Sequence, residues 1–378
     1  MSFDPETTAR DGLAALQRGD ATTARAAFAA VVDAGRASPR LLLLLADACA
    51  KLGDAKGEDA ALDKVLALDA RNLAALTVKG DRAAATDDDR AAAGWYGMVL
   101  STVAREGSVD PALAPLVARA EAGLAIARAR FEAHMRAAIA DVAAGARFAE
   151  SVAILSGQAE PQLQQPSSFY YPGLPQRAFY DSGDFDWVAG LEAATPAIRA
   201  EAQAALASGT GFRPYVEADP TRPNKGHALL DNDDWSAFHL IESGTPVAGN
   251  ADGCPATMAA LAPLPLPRIA GRSPMALFSL LKPHTHIPPH WGMLNTRLIV
   301  HLPLIVPDGC RLRVGNHVHD VVAGKAMIFD DSIQHEAWND SAETRVILLF
   351  EIWRPELGAA EREGLTRLFE AIGKYGTA

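Results

Sequence analysis

The chain has 378 residues, of which 49% are hydrophobic and 21% are charged, and its formal net charge is −11. This length exceeds that of one typical domain and predicts two, and the composition excludes an intrinsically disordered chain. The negative charge argues against nucleic acid and against an anionic membrane as partners.

The cysteines and the N-terminal segment indicate the compartment. Cys49, Cys254 and Cys310 are far apart and form no CxxC pair, so we predict reduced thiols. The first residues lack the basic and then apolar layout of a signal peptide. The longest apolar run, residues 26–32, is too short to cross a bilayer. We therefore expect a cytoplasmic protein without a membrane partner.

Residues 1–158 are rich in alanine, which favours helices. Gly19-Asp20 recurs as Gly53-Asp54 and, weakly, as Asp87-Asp88, and this spacing resembles the roughly 34-residue tetratricopeptide period. The same spacing aligns Ala27 with Ala61 and Trp95, Phe28 with Leu62 and Tyr96, and Val31 with Val65 and Val99. We predict a tetratricopeptide-like array over about residues 5–105, capped by one or two helices in 110–156. A generic helical bundle is the alternative.

The remainder of the chain has a different composition. Residues 159–178 are rich in proline, glutamine and serine and are predicted to form a linker, so that the second domain is expected at 179–378. We predict a helix over 185–208, an irregular segment over 210–274 and a closing helix over 358–374. Short apolar runs separated by turn residues occur at Met275–Leu281, Arg297–Val306, Arg311–Val314, Val318–Val322, Lys325–Phe329 and Thr344–Trp353. Such runs predict a β-sandwich or barrel, and thus an α+β multidomain protein.

Histidines are concentrated in this β-rich segment, where seven of the ten fall between residues 284 and 335. Imidazole is a common ligand of transition metals. His317 and His319 flank Val318 and so face the same side of a strand, which we interpret as solvent-facing. His290 precedes a long predicted strand and His335 follows a later one, so these two are the candidate metal ligands.

Arg345 follows His335 by ten residues, in a strand that is otherwise largely apolar, TRVILLFEIW. A guanidinium that points into a barrel needs an anion. A dicarboxylate cosubstrate supplies one, held by a bidentate fork. An early histidine, a late histidine and then an arginine about one strand later is the arrangement that 2-oxoglutarate oxygenases require.

Several motifs in this order resemble the aspartyl/asparaginyl β-hydroxylase family over about residues 170–357. They are YPGLPQRAFYD (171–181), FSLLKPHTHIPPHWG (278–292), NTRLIVHLPLIVP (295–307), CRLRVGN (310–316), FDDSIQHEAWND (329–340) and RVILLFEIWRPEL (345–357). The resemblance implies a double-stranded β-helix, or jelly-roll, fold. It also implies Fe(II), 2-oxoglutarate and dioxygen.

The resemblance assigns roles residue by residue. His290 and His335 match the two metal ligands. Arg345 and Ser279 match the pair that binds the distal carboxylate of 2-oxoglutarate. His301 matches a residue near the metal-proximal carboxylate of that cosubstrate.

Four positions need separate interpretation: Gly292, Asp330, Asp331 and Ile299. Gly292 stands where most related oxygenases have a carboxylate ligand, which this family also lacks, so a coordination position remains for water or an anion. Asp330 and Asp331 are interpreted as residues that support the ligands or shape a turn. The family commonly has an arginine at the position of Ile299, and its absence weakens the case for an acidic aspartyl substrate.

Arg297, Trp235 and His239 are candidates for the substrate side of the site. Arg297 remains where the family has its first arginine; its alternative role is that of a surface charge. Trp235 and His239 lie in DNDDWSAFHLIESG, which resembles the family's substrate-side segment, and the alternative for Trp235 is a core residue.

The predicted function is an Fe(II)/2-oxoglutarate-dependent dioxygenase that hydroxylates an unactivated carbon of an Asp- or Asn-like peptide or protein side chain. A free amino acid and a lipid head group are the alternative substrates. The repeats are expected to recruit the peptide or protein substrate. The alternative is a tetratricopeptide scaffold protein with a degenerate cupin-like domain, and a third possibility is a halogenase with chloride beside Gly292. The joint presence of Ser279, His290, His301 and Arg345 with His335 favours the enzyme, since a degenerate site loses such residues.

Overall fold

The computed structural model describes residues 3–107, 110–218, 226 and 228–375. Its contacts divide the chain into two compact units, Met1–Ala159 and Glu160–Ala378. Residues 219–225 and 227, part of the segment predicted to be irregular, lie outside the described residues. Among the helices described, none combines the length and hydropathy that crossing a membrane requires.

The first unit is a series of helix pairs. Its helices are α1 Pro5–Gln17, α2 Ala21–Asp33, α3 Pro39–Lys51, α4 Ala55–Leu68, α5 Leu73–Ala85, α6 Asp89–Glu106, α7 Ala114–Ala138 and α8 Ala146–Leu155. The starts of α1, α3 and α5 are spaced at the predicted repeat period, and so are the starts of α2, α4 and α6. The predicted helical repeat array is therefore confirmed, with α7 and α8 in the segment expected to follow it.

The recurring Gly-Asp pair forms the turn inside each repeat. Gly19 and Gly53 adopt φ values of 85° and 68°, in the left-handed region that favours glycine. Asp87 adopts a φ of 58° at the equivalent position, which aspartate tolerates better than most residues. The aspartate that follows each of these residues caps the next helix by accepting a hydrogen bond from the backbone N–H three positions later.

Aligned side chains form the core between repeats. Phe28 and Leu62 are fully buried and Tyr96 nearly so. Each belongs to an apolar cluster that joins one helix pair to the next helix, and α7 closes the last of these clusters. A single pair leaves its apolar face uncovered, so the stability of each repeat depends on its neighbours.

The second unit is built on two antiparallel sheets. Its strands are β1 Phe179–Tyr180, β2 Phe212–Pro214, β3 Trp235–Glu242, β4 Thr245–Pro246, β5 Ala276–Leu281, β6 Thr285–His290, β7 Arg297–Ile305, β8 Cys310–Val314, β9 His317–Asp320, β10 Met327–Phe329, β11 His335–Asn339 and β12 Arg345–Trp353. The larger sheet has the order β1-β10-β7-β12-β5-β3-β2, with β4 paired to β3, and the smaller sheet has the order β6-β11-β8-β9.

Alternation along the central strands divides the core into two layers. On β12, Leu348 and Phe350 pack against helices α9 Val188–Ala193, α10 Thr195–Ser208 and α11 Pro255–Leu261. The intervening residues Ile347 and Leu349 pack toward the smaller sheet instead. The two sheets thus face each other, in agreement with the predicted jelly roll, and the C-terminal helix α12 spans Ala359–Lys374.

Six of the described strands were not predicted: the short strands β1, β2 and β4, and the longer strands β3, β6 and β11. β3 lies in the segment expected to be irregular, where the preceding polar residues DNDD obscure a strand of mostly buried side chains. β6 contains two prolines, but it is an edge strand of the smaller sheet, where a missing backbone donor is tolerated. β11 is short and carries polar residues. In addition, the helix predicted over 185–208 is divided into α9 and α10.

Residues 160–178, here called the strap, lie against the second unit rather than forming the predicted linker. The Gln164 side chain is buried, and its amide donates to Asp330 Oδ2 at 2.7 Å and to the Pro175 carbonyl at 2.9 Å. Asn295 Nδ2 donates to Gln164 Oε1 at 2.9 Å, and the backbone N–H of Tyr171 donates to Asn295 Oδ1 at 2.7 Å. The polar composition that resembles a linker therefore provides partners for buried polar groups.

Candidate active site

A cavity of about 850 Å³ lies between the two sheets of the second unit. The candidate residues that line it are Trp235, His239, Ser279, His290, Arg297, His301, His335 and Arg345. His317 and His319 are exposed on β9 and do not line it. The structure thus brings together side chains that are up to 110 positions apart in sequence.

His290 and His335 are neighbours across two strands. The last residue of β6 pairs with the first residue of β11, and the two ring centroids are 4.1 Å apart. The Nδ1 atoms lie 2.8 Å from the Pro288 carbonyl and 3.1 Å from the Ile333 carbonyl. Because a carbonyl only accepts hydrogen bonds, each Nδ1 carries the proton and each Nε2 carries the lone pair that a metal ligand needs.

Burial and the neighbouring His290 lower the pKa of His335 to about 3, so its ring is neutral at physiological pH. The described residues contain no group of three or more His, Cys, Asp or Glu side chains placed to hold a metal ion. The geometry therefore offers two protein donors, which agrees with the absence of a carboxylate at Gly292.

Gly292 is required by close packing. A Cβ atom at this position would lie 2.1 Å from Asp331 Oδ2. The Gly292 N–H also donates to the Asp331 carbonyl at 2.6 Å. The space beside the glycine is thus occupied by a carboxylate, which repels chloride and weighs against the halogenase alternative.

Arg345 is a buried cation without a counter-ion. Its side chain lies in the cavity wall with 2% exposure, and it forms none of the hydrogen bonds or ion pairs found among residues 3–107, 110–218, 226 and 228–375. Burial lowers its pKa to about 10. Because an unpaired buried charge is costly, this part of the cavity is suited to an anion.

Ser279 lies on β5, beside Arg345 in the sheet, since its register partner on β12 is Ile347. The indole N–H of Trp235 donates to Ser279 Oγ at 3.1 Å. The serine oxygen therefore accepts from the tryptophan, while its own proton is available for another acceptor. Arg345 and Ser279 together present donors to one anion.

His301 lies on β7 and packs edge-on against Phe329, with ring centroids 4.8 Å apart. Burial, followed by the charges of Arg345 and His335, lowers its pKa well below the usual value. It is therefore a neutral imidazole close to both the guanidinium and the histidine pair.

Arg297 is paired within the cavity wall rather than exposed as a surface charge. It forms an ion pair with Glu351 and a longer one, 3.4 Å, with Asp331. Burial acts to lower the pKa of Arg297, but the two carboxylates outweigh it and raise this pKa. Glu351 was missed by sequence reasoning, although its spacing of six residues from Arg345 on one strand places both on the same face.

Aromatic rings line another part of the cavity. Tyr215, also missed from the sequence, stacks on Trp235 with centroids 4.0 Å apart and an interplanar angle of 12°. The Trp235 ring is 6.2 Å from that of His290. Trp235 is therefore a buried residue that also lines the cavity.

Residues 192–355 match the sequence profile of the family described as Aspartyl/Asparaginyl beta-hydroxylase. This stretch is similar to the aspartyl/asparaginyl β-hydroxylase family and is called the hydroxylase-family segment below. The hydroxylase-family segment contains every candidate site residue as well as Glu351 and Tyr215. It excludes the helical repeats.

Two curated relatives of the hydroxylase-family segment have different names. The human Aspartyl/asparaginyl beta-hydroxylase is 33% identical over 205 residues, which cover 53% of this chain and 26% of that protein. The Ornithine lipid ester-linked acyl 2-hydroxylase of Rhizobium tropici is 35% identical over 188 residues, which cover 49% of this chain and 63% of that protein. The chain therefore spans less than two thirds of either relative.

Among solved structures, the TPR domain of P58(IPK) aligns with a TM-score of 0.31 and 22% identity. The alignment covers 40% of this chain and 41% of that one.

Proposed function

We propose that the chain is an Fe(II)/2-oxoglutarate-dependent dioxygenase that hydroxylates an unactivated carbon. The observation that carries this proposal is the unpaired, buried guanidinium of Arg345 in the same cavity as the paired rings of His290 and His335. A dicarboxylate cosubstrate with a metal-binding keto acid end satisfies both features.

The residues of the cavity fit these two groups. His290 and His335 would hold Fe(II) through their Nε2 atoms, and Arg345 with Ser279 would bind the distal carboxylate of 2-oxoglutarate by charge-assisted hydrogen bonds. When bound, Fe(II) supplies the chemistry that couples decarboxylation of 2-oxoglutarate by dioxygen to hydroxylation of a C–H bond. His301 lies beside these groups as a neutral ring, and the apolar wall excludes water.

The proposed substrate is a peptide or protein side chain of the Asp or Asn type, recruited by the helical repeats. The name of the human relative and the stacked array of helix pairs support this choice. The scaffold alternative is disfavoured by Arg345, since a degenerate site gains stability when it loses an unpaired buried charge.

Succinate formation tests the proposal. The purified full chain is incubated without oxygen with Fe(II), 2-oxoglutarate and a cell-extract peptide mixture, oxygen is admitted, and succinate and bound iron are measured. The wild type is expected to bind one iron per chain and to release succinate. His290→Ala and His335→Ala should each lose turnover and bind iron weakly, whereas His134→Ala, an exposed control on α7, should match the wild type.

Wild-type iron occupancy in either cavity variant would contradict the ligand assignment. A wild type that binds no iron and forms no succinate would instead favour the scaffold alternative.

A further inference from the structure

The charges around Arg297 bear on which substrate the cavity accepts. We propose that the substrate side of the cavity selects an uncharged polar group, such as a carboxamide, and rejects a carboxylate. This inference rests on the proposed function. It narrows the proposed substrate side chain from Asp or Asn to Asn.

Arg297 already has carboxylate partners within the protein. Its guanidinium is paired with Glu351 and lies 3.4 Å from Asp331. The Glu351 side chain is 1% exposed and is fixed further by the Met275 backbone N–H, which donates to its Oε1 at 3.0 Å. A substrate carboxylate would have to displace a buried carboxylate that has two fixed partners.

The rest of the charged lining gives a substrate carboxylate no net attraction. Apart from Arg345, the charged side chains of the described cavity wall are Arg272, Arg297, Glu242, Asp331 and Glu351. Arg272 is half-buried, with its guanidinium 4.3 Å from the centroid of the Phe369 ring, and Glu242 is paired outside the wall with Arg213. With Glu242 neutralised by Arg213, the guanidinium groups of Arg272 and Arg297 face the carboxylates of Asp331 and Glu351. This part of the wall therefore has no excess positive charge for a further carboxylate.

Beside this ion pair, Ile299 on β7 contributes an apolar side chain to the cavity wall. Ile299 pairs with Glu351 across β7 and β12, is 5% exposed and lines the cavity. It has no donor for an anion.

The ion-pair group does retain capacity for an uncharged polar ligand. Arg297 Nε and Asp331 Oδ1 have no hydrogen-bond partner among the described residues. A carboxamide carries the complementary acceptor and donor, whereas a carboxylate carries acceptors only and leaves Asp331 opposed by like charge.

A matched pair of probes tests this selectivity. Dissociation constants of N-acetyl-asparagine methylamide and N-acetyl-aspartate methylamide are measured by ligand-observed NMR on the full chain, first without metal or cosubstrate and then with Zn(II) and 2-oxoglutarate. We expect the wild type to bind the asparagine probe about tenfold more tightly, or better, in both conditions, since like-charge juxtaposition disfavours the aspartate probe. Because no turnover is involved, the result is independent of the oxidative chemistry.

Variants assign the selectivity to Glu351. Glu351→Gln frees Arg297 and should shift the ratio of the two constants toward the aspartate probe by about tenfold or more. Glu343→Gln makes the same charge change at an exposed position and should leave the ratio unchanged. The double variant Arg297→Gln/Glu351→Gln removes the pair without leaving either charge alone, and it should restore the preference for the asparagine probe.

A wild type that prefers the aspartate probe, or that binds neither probe, would overturn the inference. A shift of the ratio in Glu351→Gln that is no larger than the shift in Glu343→Gln would also overturn it. If Glu351→Gln does not fold, a double variant that favours the aspartate probe would overturn it. Selectivity for the asparagine probe without succinate formation would overturn the proposed function alone, and succinate formation without that selectivity would overturn this inference alone.

Discussion

Replacing Arg345 with methionine is expected to stabilise the ligand-free second unit while removing its response to 2-oxoglutarate. Burial lowers the pKa of Arg345 from 12.5 to about 10. Each pH unit of such a change corresponds to about 1.4 kcal/mol, so the buried charge lowers the free energy of unfolding by about 3 kcal/mol. Since the folded-state pKa is the lower one, this loss is fully present at neutral pH and diminishes only as the pH rises above about 10.

Thermal unfolding of the full chain, with and without 2-oxoglutarate, measures both effects. In the Arg345→Met variant the midpoint temperature of the second unit should rise by roughly 6–12 °C without ligand. A saturating ligand at about 100 times its dissociation constant adds about 2.7 kcal/mol to the wild type and should add almost nothing to the variant. Arg367→Met, on the exposed face of α12, is the control and should change neither quantity.

Two outcomes would refute this reasoning. If Arg345→Met is less stable than the wild type without ligand, the guanidinium has a partner that supports the fold. If the variant retains the full stabilisation by 2-oxoglutarate, the distal carboxylate binds elsewhere, and Arg297 becomes the next residue to test.

Two further predictions concern packing in the second unit. A fragment of residues 160–378 should fold and bind 2-oxoglutarate. A fragment of residues 179–378 should be less stable by several kcal/mol, because each buried polar group that loses its partner in the strap costs about 1–3 kcal/mol. Equal denaturation midpoints for the two fragments would contradict this expectation. Gly292→Ala should lower the free energy of unfolding by about 1–3 kcal/mol through its clash with Asp331. Gly364→Ala, on helix α12 where a Cβ meets no atom within 4 Å, should raise it by about 0.5–1 kcal/mol. Chemical denaturation measures both changes, and a Gly292→Ala variant as stable as the wild type would show that Asp331 moves freely.

Much of this fold follows from local patterns in the sequence. The Gly-Asp turns predicted the repeat period because a left-handed residue and a helix cap are both local requirements. Strands that are long apolar runs, such as β7 and β12, were predicted within one or two residues. β6 was not, because its prolines are acceptable only at a sheet edge, and edge position is a property of the tertiary structure.

The candidate site likewise contains residues that local sequence patterns predict and residues that depend on the tertiary structure. A lone arginine in an apolar strand predicts an anion partner if its side chain points inward, and the structure has Arg345 in the cavity wall. The pairing of Arg297 with Glu351 depends on the register between β7 and β12, where Trp353 is opposite Arg297, and no local pattern encodes that register. The linker interpretation of the strap was misleading for a related reason, because its polar residues have buried partners far away in the chain, such as Asp330.

The strap also has a consequence for how such chains are assembled from parts. A recombination event or a designed fusion that exchanges the helical repeats at residue 178 would leave Asn295 and Asp330 without the partner that Gln164 supplies. An exchange at residue 159 would transfer the strap together with its partners. The segment to exchange as a whole is therefore the second unit with its N-terminal strap, residues 160–378.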